Sequence, residues 1–194
     1  MPRPSRKQLI LETLARELES KPGDRITTAG LARAVGVSEA ALYRHFASKA
    51  RMFEGLIAFA EETVFSRINQ ILENEKDTEA RCAQLLYLLL GFADRNPGIA
   101  RLLLGDALVG ERERLRERVR QFFDRVELQL RQVLREQGLR GGAALRLSPE
   151  AAASLLTAFV EGRLHQFQRS DFGRPTLSDW ENDWQALRAG LFLD

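Results

Sequence analysis

The sequence predicts an all-α protein, with an N-terminal unit of three helices followed by a larger C-terminal helical bundle. Apolar residues recur with a period near 3.6 through most of the 194 residues, which is the spacing of an amphipathic helix. No segment has the strict apolar–polar alternation of a half-buried strand, and glycine, proline and polar clusters interrupt the helical pattern. We predict an N-terminal domain over residues 1–47 and a C-terminal domain over residues 48–194.

Three short helices are expected in the N-terminal domain. The first covers residues 5–20 and is stopped by the sequence Lys-Pro-Gly-Asp. Thr27 or Thr28 can cap the second helix, and Ser38 can cap the third, since their hydroxyls accept hydrogen bonds from first-turn amides. Gly36 lies between these two helices, where its freedom to adopt positive φ permits a tight turn.

The C-terminal domain is expected to contain longer helices. Ser48 caps the first, whose apolar face extends for about six turns. The others are predicted over residues 80–93, 99–109, 111–137 and 148–169, with a last helix that holds Trp180, Trp184, Leu187 and Leu191. Breaks are expected at residues 74–78, at Asn96-Pro97-Gly98, and in a loop over 138–147 that contains Gly141-Gly142.

Composition excludes several classes of protein. No apolar run approaches the roughly 20 residues of a membrane span, and the N-terminus lacks the pattern of a signal peptide, so we expect a cytoplasmic protein. The single cysteine, Cys82, is predicted to be a buried small hydrophobe. The two histidines, His45 and His165, form no metal-ligand pattern, and no phosphate loop or nucleophile elbow occurs. We therefore predict neither an enzyme nor a bound cofactor or metal.

Charge is distributed unevenly along the chain. Residues 1–51 carry ten Lys/Arg and five Asp/Glu, a net charge of +5, whereas the remaining residues carry 19 bases and 22 acids, a net charge of −3. A basic end attached to a mildly acidic body indicates that one part of the protein faces a polyanion.

Two short helices joined by a glycine turn form a helix-turn-helix, which can be a structural corner or a DNA-binding element. The basic excess favours DNA, because the major groove accepts one helix whose flanking groups contact phosphates. His45 is alternatively a solvated or capping residue, and Phe46 is expected to fill the core. The predicted DNA-binding residues are Arg25, Thr27, Thr28, Ser38, Glu39, Ala40, Tyr43, Arg44, His45 and Lys49.

The segment RITTAGLARAVGVSEAALYRHFASKARMF resembles the DNA-binding segment of TetR-family regulators. Further stretches, RINQILENEKDTEAR, LLLGFADRNPGIAR and QLRQVLREQGL, resemble the branch of that family formed by nucleoid occlusion factors. The resemblance weakens after about Gly138, and the N-terminal PRPSRK is a shorter basic arm than relatives carry. It implies an all-α, dimeric, nucleoid-associated protein that binds palindromic DNA sites.

The resemblance also implies a protein partner, the tubulin-like division protein FtsZ, whose assembly such factors antagonise. The matching positions are Phe59, Arg67, Leu88, Gly91, Arg95 and Asn96. The periodicity leaves alternatives open. Phe59 is either exposed or in the core, the arginines are either ligands or a solvated face, and Gly91 permits either a partner's approach or tight packing within the chain.

Dimerisation is also predicted from the residues themselves. Two long helices with apolar stripes can pair with their copies in a four-helix bundle, and small residues in the second permit close approach. The alternative is that these faces pack only within one chain. The predicted dimer contacts are Phe122, Val126, Leu130, Leu155, Phe159 and Gly162.

Two other functions remain compatible with parts of this pattern. A ligand-responsive transcriptional repressor would share the fold and hold an effector within the bundle, where Trp180 and Trp184 could line a pocket or belong to an ordinary core. A helical partner-binding protein without DNA affinity would lack salt-dependent binding to DNA, because phosphate contacts release counterions.

Overall fold

The computed structural model describes residues 5–21, 24–108, 110–111, 113–139 and 144–193. Within these residues the chain forms nine α-helices and one 3-10 turn. The helices are α1 Arg6–Ser20, α2 Thr28–Val35, α3 Glu39–His45, α4 Lys49–Asn74, α5 Thr78–Arg95, α6 Pro97–Leu103, α7 Glu113–Leu139, α8 Pro149–Arg169 and α9 Trp180–Leu191, with the 3-10 turn at Asp106–Leu108. The all-α prediction is confirmed.

The predicted helix over residues 99–109 differs most from the structure. Pro97, expected within a break, is instead the first residue of α6, a position where the missing proline N–H costs no hydrogen bond. The helix ends at Leu103, and Gly105, with φ of 82°, separates it from the 3-10 turn. Val109, Pro22, Gly23 and the Gly141-Gly142 pair, which enter the predicted boundaries, lie outside the described residues.

The chain divides into two compact units. Unit 1 consists of Met1–Glu62 with Asn96–Val119, and unit 2 consists of Thr63–Arg95 with Arg120–Asp194. The predicted domains, 1–47 and 48–194, follow chain order and remain a prediction about which segments carry which function.

In unit 1, α6 packs directly on the backbone of α1. A Cβ placed on Gly98 would lie only 2.0 Å from the carbonyl oxygen of Ala15 and 3.1 Å from the backbone nitrogen of Glu19. Any larger residue at this position would therefore push the two helices apart. The core beneath them includes Ile10, Leu14, Leu18, Leu31, Leu42, Phe53 and Ile57.

A buried arginine ties α6 to the end of α1. Arg101 is 1% exposed, and its guanidinium donates to the carbonyl oxygens of Leu18 at 3.1 Å and Lys21 at 2.6 Å. It also donates to the carbonyl of Asp24 at 3.0 Å and forms a 2.5 Å ion pair with Asp106. Because the last carbonyls of a helix have no partner within it, Arg101 caps α1 and holds the segment that leads into α2.

Unit 2 is built mainly from α5, α7 and α8 together with the C-terminal half of α4. Its core includes Val64, Ile68, Cys82, Leu85, Leu86, Val126, Leu130, Leu156 and Val160. Arg81 is buried and repeats the capping arrangement, donating to the carbonyls of Leu72 at 2.8 Å and Glu75 at 2.7 Å at the end of α4. No helix among the described residues is long and apolar enough to span a membrane.

Candidate nucleic-acid interface and partner surface

Side-chain and backbone caps build the turn between α2 and α3. The Thr27 hydroxyl accepts from the amide of Gly30 at 3.1 Å, and the Ser38 hydroxyl accepts from the amide of Ala41 at 3.2 Å. Gly36 ends α2 in the left-handed region, with φ of 77° and ψ of 37°, and Val37 N–H donates to the carbonyl of Ala32 at 2.9 Å. These bonds satisfy several of the free amides and carbonyls at the facing helix ends, so the turn is capped on both sides.

The outer face of α3 is polar and open to solvent. Leu42 is fully buried and anchors the helix on the core of unit 1, whereas Tyr43 is 45% exposed and Arg44 and His45 are exposed beside it. The described residues offer no hydrogen-bond or ion-pair partner to the Arg44 guanidinium. Glu39 and Ala40 are exposed in the first turn, as is the capping Ser38. The seven-residue α3 therefore presents a contiguous polar surface for a ligand.

The predicted interface residues outside α3 have more varied surroundings. Thr27 is exposed at the start of α2 and Thr28 is half-buried. Arg25 is exposed, and its guanidinium lies against Gly110, where an added Cβ would be 3.2 Å from Nη2.

Lys49 is already engaged within unit 1. Its ammonium forms a 2.5 Å ion pair with Glu111 and donates to the carbonyl of Ile26 at 3.0 Å. A phosphate would have to compete with that carboxylate, so the structure gives Lys49 a role in holding the start of α4, which periodicity alone does not indicate.

The predicted partner residues are distributed over both units. Phe59 belongs to unit 1 and is 47% exposed on α4, which resolves the alternative between exposure and core. Asn96 also belongs to unit 1 and is half-buried at the start of α6. Arg67, in unit 2, is exposed and donates to the side-chain oxygen of Gln70 at 2.9 Å.

Leu88 and Arg95 line the same open groove in unit 2, bounded by α4, α5 and α9. Gly91, on the same helix, is buried, and a Cβ placed on it would lie 3.4 Å from Arg95 Nη1 and 3.4 Å from Leu177 Cδ1. Both distances are ordinary van der Waals contacts, so packing within the chain does not by itself require a glycine at this position. A ligand in the groove would contact Arg95, whose side chain lies over Gly91.

The predicted dimer contacts separate into two groups. Phe122, Val126 and Leu130 on α7 are buried in the core of unit 2, which leaves no direct contact for a second chain at these three positions. On α8, Leu155 is 44% exposed, Phe159 is half-buried and Gly162 is exposed. On α7, Leu128 is 42% exposed, and the periodicity of the apolar stripe does not select this residue.

The exposed face of α8 is unusually apolar for a surface in contact with water. Ala151, Leu155, Ala158 and Gly162 follow one another at spacings of three or four residues and are all exposed. Among the described residues, no atom lies within 4 Å of a Cβ placed on Gly162. Packing within one chain therefore does not explain a glycine here, where it costs about 1 kcal/mol of helix stability relative to alanine.

Burial changes the pKa of two acidic side chains in unit 2. The thiol of Cys82 has its pKa raised to about 12, chiefly because burial disfavours the thiolate. This agrees with the predicted role of Cys82 as a small buried hydrophobe. Burial also raises the pKa of Glu161, next to Gly162 on α8, and the nearby carboxylates of Glu127 and Asp124 add to that shift while His165 opposes it.

Two families match successive parts of the chain. Residues 10–56 match the family described as bacterial regulatory proteins, tetR family, and residues 76–191 match a tetracyclin repressor-like C-terminal domain of the SlmA-like type. The first range contains α2 and α3 with their glycine turn, and the second contains α5 to α9.

Curated relatives match over nearly the full length. The chain is 55% identical to a nucleoid occlusion factor SlmA from Colwellia psychrerythraea over 187 residues, which cover 96% of this chain and 94% of the relative. It is also 55% identical to the SlmA of Shewanella pealeana over 190 residues, covering 98% and 96%.

Solved structures support the fold at much lower identity. The fatty acid degradation regulator FadR from Bacillus halodurans superposes with a TM-score of 0.82 at 14% identity and covers 98% of both chains. The MbdR regulator from Azoarcus sp. CIB has a TM-score of 0.82 at 17% identity, covering 97% of this chain and 100% of its own. The family is one of DNA-binding regulators and not of enzymes, in agreement with the prediction from sequence. On these matches, the chain belongs to the tetR family of bacterial regulatory proteins, in the branch of the SlmA nucleoid occlusion factors.

Proposed function

We propose that this protein is a nucleoid occlusion factor that binds pseudo-palindromic DNA sites as a homodimer and, on chromosomal DNA, binds FtsZ and prevents septum assembly. The observation that carries the DNA-binding half is the outer face of α3, where Tyr43, Arg44 and His45 are exposed on a helix whose ends are fixed by caps. The full-length identity to SlmA relatives supports the division-related half.

DNA binding would combine readout by α3 with phosphate contacts around it. The first residues of α3, Glu39 and Ala40, would face base edges in the major groove, while Tyr43 and Arg44 would contact the backbone. The N-terminus of α2 adds the exposed Thr27, whose cap leaves the other first-turn amides directed outward. Such contacts release counterions, so affinity should fall steeply with salt.

Dimerisation would cover the apolar face of α8. Leu155, Phe159 and Gly162 of one chain would pack against the same residues of a second chain, together with Leu128 of α7. Close approach of two helices at Gly162 gives that residue a reason to lack a side chain. A two-fold dimer presents two α3 helices about 34 Å apart, one turn of DNA, which accounts for a palindromic site.

FtsZ binding would use the exposed arginines and the groove of unit 2. Arg95 lines the groove without an ion-pair partner among the described residues, and Leu88 supplies an apolar wall. This combination suits the acidic tail of FtsZ. Phe59, Arg67 and Asn96 are further candidates for contacts to the same partner, from the resemblance to the family.

Two measurements in parallel test the proposal. Genome-wide selection of bound fragments should give discrete palindromic sites, and sedimentation of FtsZ polymers should decrease when the protein and a bound oligonucleotide are added together. Arg95→Asp should abolish the effect on FtsZ and leave DNA binding unchanged, whereas Tyr43→Ala should do the reverse. A folded protein in which both variants lose both activities equally would contradict two separable surfaces.

A further inference from the structure

The groove of unit 2 has an aromatic side that the family resemblance does not assign. The groove has a volume of about 350 Å³, and its lining includes Ile71 of α4, Ala83, Tyr87, Leu88 and Arg95 of α5, and Trp180 of α9. Leu88 and Arg95 are matched positions for the partner, but Tyr87 and Trp180 are not. The C-terminal helix therefore forms part of the wall of the proposed partner site.

The two aromatic side chains form an ordered and accessible pair. Tyr87 is 50% exposed, and its ring meets Trp180 edge to face, with centroids 5.6 Å apart and planes at 71°. Trp180 in turn stacks on Trp184 at 6.0 Å and 15°. Trp184 therefore contacts Trp180 and does not itself line the groove. Tyr87 is exposed and Trp180 is half-buried. Tyrosine and tryptophan beside a groove are typical of residues that contribute most of the affinity at protein interfaces.

The charge of the groove limits what can occupy it. Arg95 is the one charged residue among those that line it, and no described residue provides an ion-pair partner for its guanidinium. The side chain lies over Gly91, in contact with the surface of its own helix. An occupant of the groove that contacts both Arg95 and the aromatic pair must carry a carboxylate for Arg95 and an apolar side chain for the two rings. This describes a short acidic peptide segment with an apolar residue.

We propose that Tyr87 and Trp180 form an aromatic wall that binds an apolar side chain of the FtsZ tail while Arg95 binds a carboxylate of the same segment. The wall then determines which acidic segments are accepted, because the charge alone would hold any of them. This inference rests on the proposed function, since it takes FtsZ as the partner.

The chain supplies its own reporter for this test. Its two tryptophans, Trp180 and Trp184, both belong to the aromatic cluster, so Trp184→Phe leaves Trp180 as the only tryptophan. The probe is a synthetic peptide with the sequence of the FtsZ C-terminal tail, added to the full-length protein with its DNA site. We expect the peptide to change the emission of Trp180 in the Trp184→Phe variant, with a saturation curve that matches binding measured by anisotropy of a labelled peptide.

Substitutions in the wall should then reduce affinity for the peptide. Tyr87→Ala and Trp180→Ala should each weaken it about tenfold, whereas Trp180→Phe should retain most of it because an aromatic face remains. Tyr87 is half exposed, so its removal leaves the fold intact, and circular dichroism with DNA binding checks each variant. Replacing the apolar residues of the peptide by alanine should weaken binding to the unaltered protein and have little further effect on Tyr87→Ala.

The outcomes distinguish this inference from the function on which it rests. If Arg95→Asp abolishes peptide binding while Tyr87→Ala and Trp180→Ala bind as tightly as the unaltered protein, the aromatic wall is wrong and the FtsZ site stands. If the unaltered protein does not bind the peptide in the presence of its DNA site, the proposed partner is wrong. Unchanged Trp180 emission on saturation with the peptide would also overturn the wall.

Discussion

The exposed face of α3 and the exposed face of α8 differ in chemistry and in what they require from a partner. On α3 the solvent-facing side chains of Tyr43, Arg44 and His45 are polar, so the helix is compatible with water when no ligand is bound. On α8 a stripe that contains Leu155 and Gly162 is apolar, and water is a poor neighbour for it. Under the proposed function, α3 would therefore be a reversible interface in unit 1 and α8 a permanent one in unit 2.

The interiors of the two units, in contrast, use the same device. Arg101 in unit 1 and Arg81 in unit 2 are both buried, and each donates to the last carbonyls of a helix, α1 and α4 respectively. Each also pairs with a carboxylate, Asp106 or Glu136. Surface chemistry therefore distinguishes the units more than internal construction does, and changes to each unit should have separable consequences.

The largest effect is expected where α6 meets α1. Gly98→Val would place side-chain atoms inside the backbone of Ala15, since a Cβ alone would lie 2.0 Å from its carbonyl oxygen. Overpacking against backbone that cannot move aside should lower the free energy of unfolding by about 4 kcal/mol or more. Thermal unfolding followed by circular dichroism measures this loss. DNA binding should disappear with the packing of unit 1, while dimerisation through α8 persists.

Gly190→Val is the matched control for this change. Gly190 is also a helical glycine, in α9, but no atom of the residues that the structure describes lies within 4 Å of an added Cβ. The control should therefore unfold near the temperature of the unaltered protein and bind DNA normally. A Gly98→Val protein as stable as the Gly190→Val protein would show that α1 and α6 do not pack in this way.

The second largest effect should come from the buried arginines. Arg101→Met removes the guanidinium from three backbone carbonyls, those of Leu18, Lys21 and Asp24, and should cost about 3 kcal/mol of stability. Because these hydrogen bonds hold the segment before α2, the affinity of Arg101→Met for DNA should fall together with its stability. Arg81→Met should cost a similar amount, measured by urea denaturation, but leave DNA affinity per folded molecule unchanged. Equal losses of DNA affinity in both variants would contradict the separation of the two units.

The sequence alone predicts most of the fold and the polar face of α3. Caps and turns such as Thr27, Gly36 and Ser38 are local signals, and the structure uses all three as predicted. The burial of Arg101 and Arg81 could not be predicted, because an arginine within a helical pattern usually belongs to a solvated face and its carbonyl partners are distant in sequence. Leu128 and Tyr87 were not selected as candidate interface residues for a related reason. Periodicity identifies the buried stripe of a helix, and it does not identify the apolar or aromatic residues that lie outside that stripe.

Phe122, Val126 and Leu130 illustrate the same limit in the opposite direction. They have the regular spacing of an interface, but an identical spacing serves an internal core, and their burial within one chain decides between the two. A pattern of apolar or small residues predicts that these residues are covered. The three-dimensional contacts are needed to decide whether the same chain or a second molecule covers them.

The permanent nature of the α8 surface can be tested at Gly162. Gly162→Leu adds a side chain into open space within one chain, so the monomer should fold normally, but it would separate two helices that approach at this point. We expect the dimer to dissociate at concentrations about 100-fold higher than for the unaltered protein, as measured by sedimentation velocity. Gly190→Leu, at a helical glycine with similar open space around it, is the control and should not alter association. A Gly162→Leu protein that dissociates over the same concentration range as the unaltered protein would contradict close approach of two α8 helices at Gly162.

The reversible nature of the α3 surface predicts a smaller effect with a characteristic dependence on salt. Arg44→Ala removes an exposed guanidinium that has no ion-pair partner among the described residues, so the fold should not change. If Arg44 binds a phosphate, affinity at low salt should fall at least about tenfold for every DNA sequence. The slope of log K against log salt should become shallower by about 1.8, which is about 0.9 for each of the two copies of Arg44 in the dimer. Arg174→Ala, which removes an exposed arginine of unit 2, should leave both the affinity and the slope unchanged. A loss confined to the preferred site would instead assign Arg44 to a base edge, because phosphate contacts carry no sequence information.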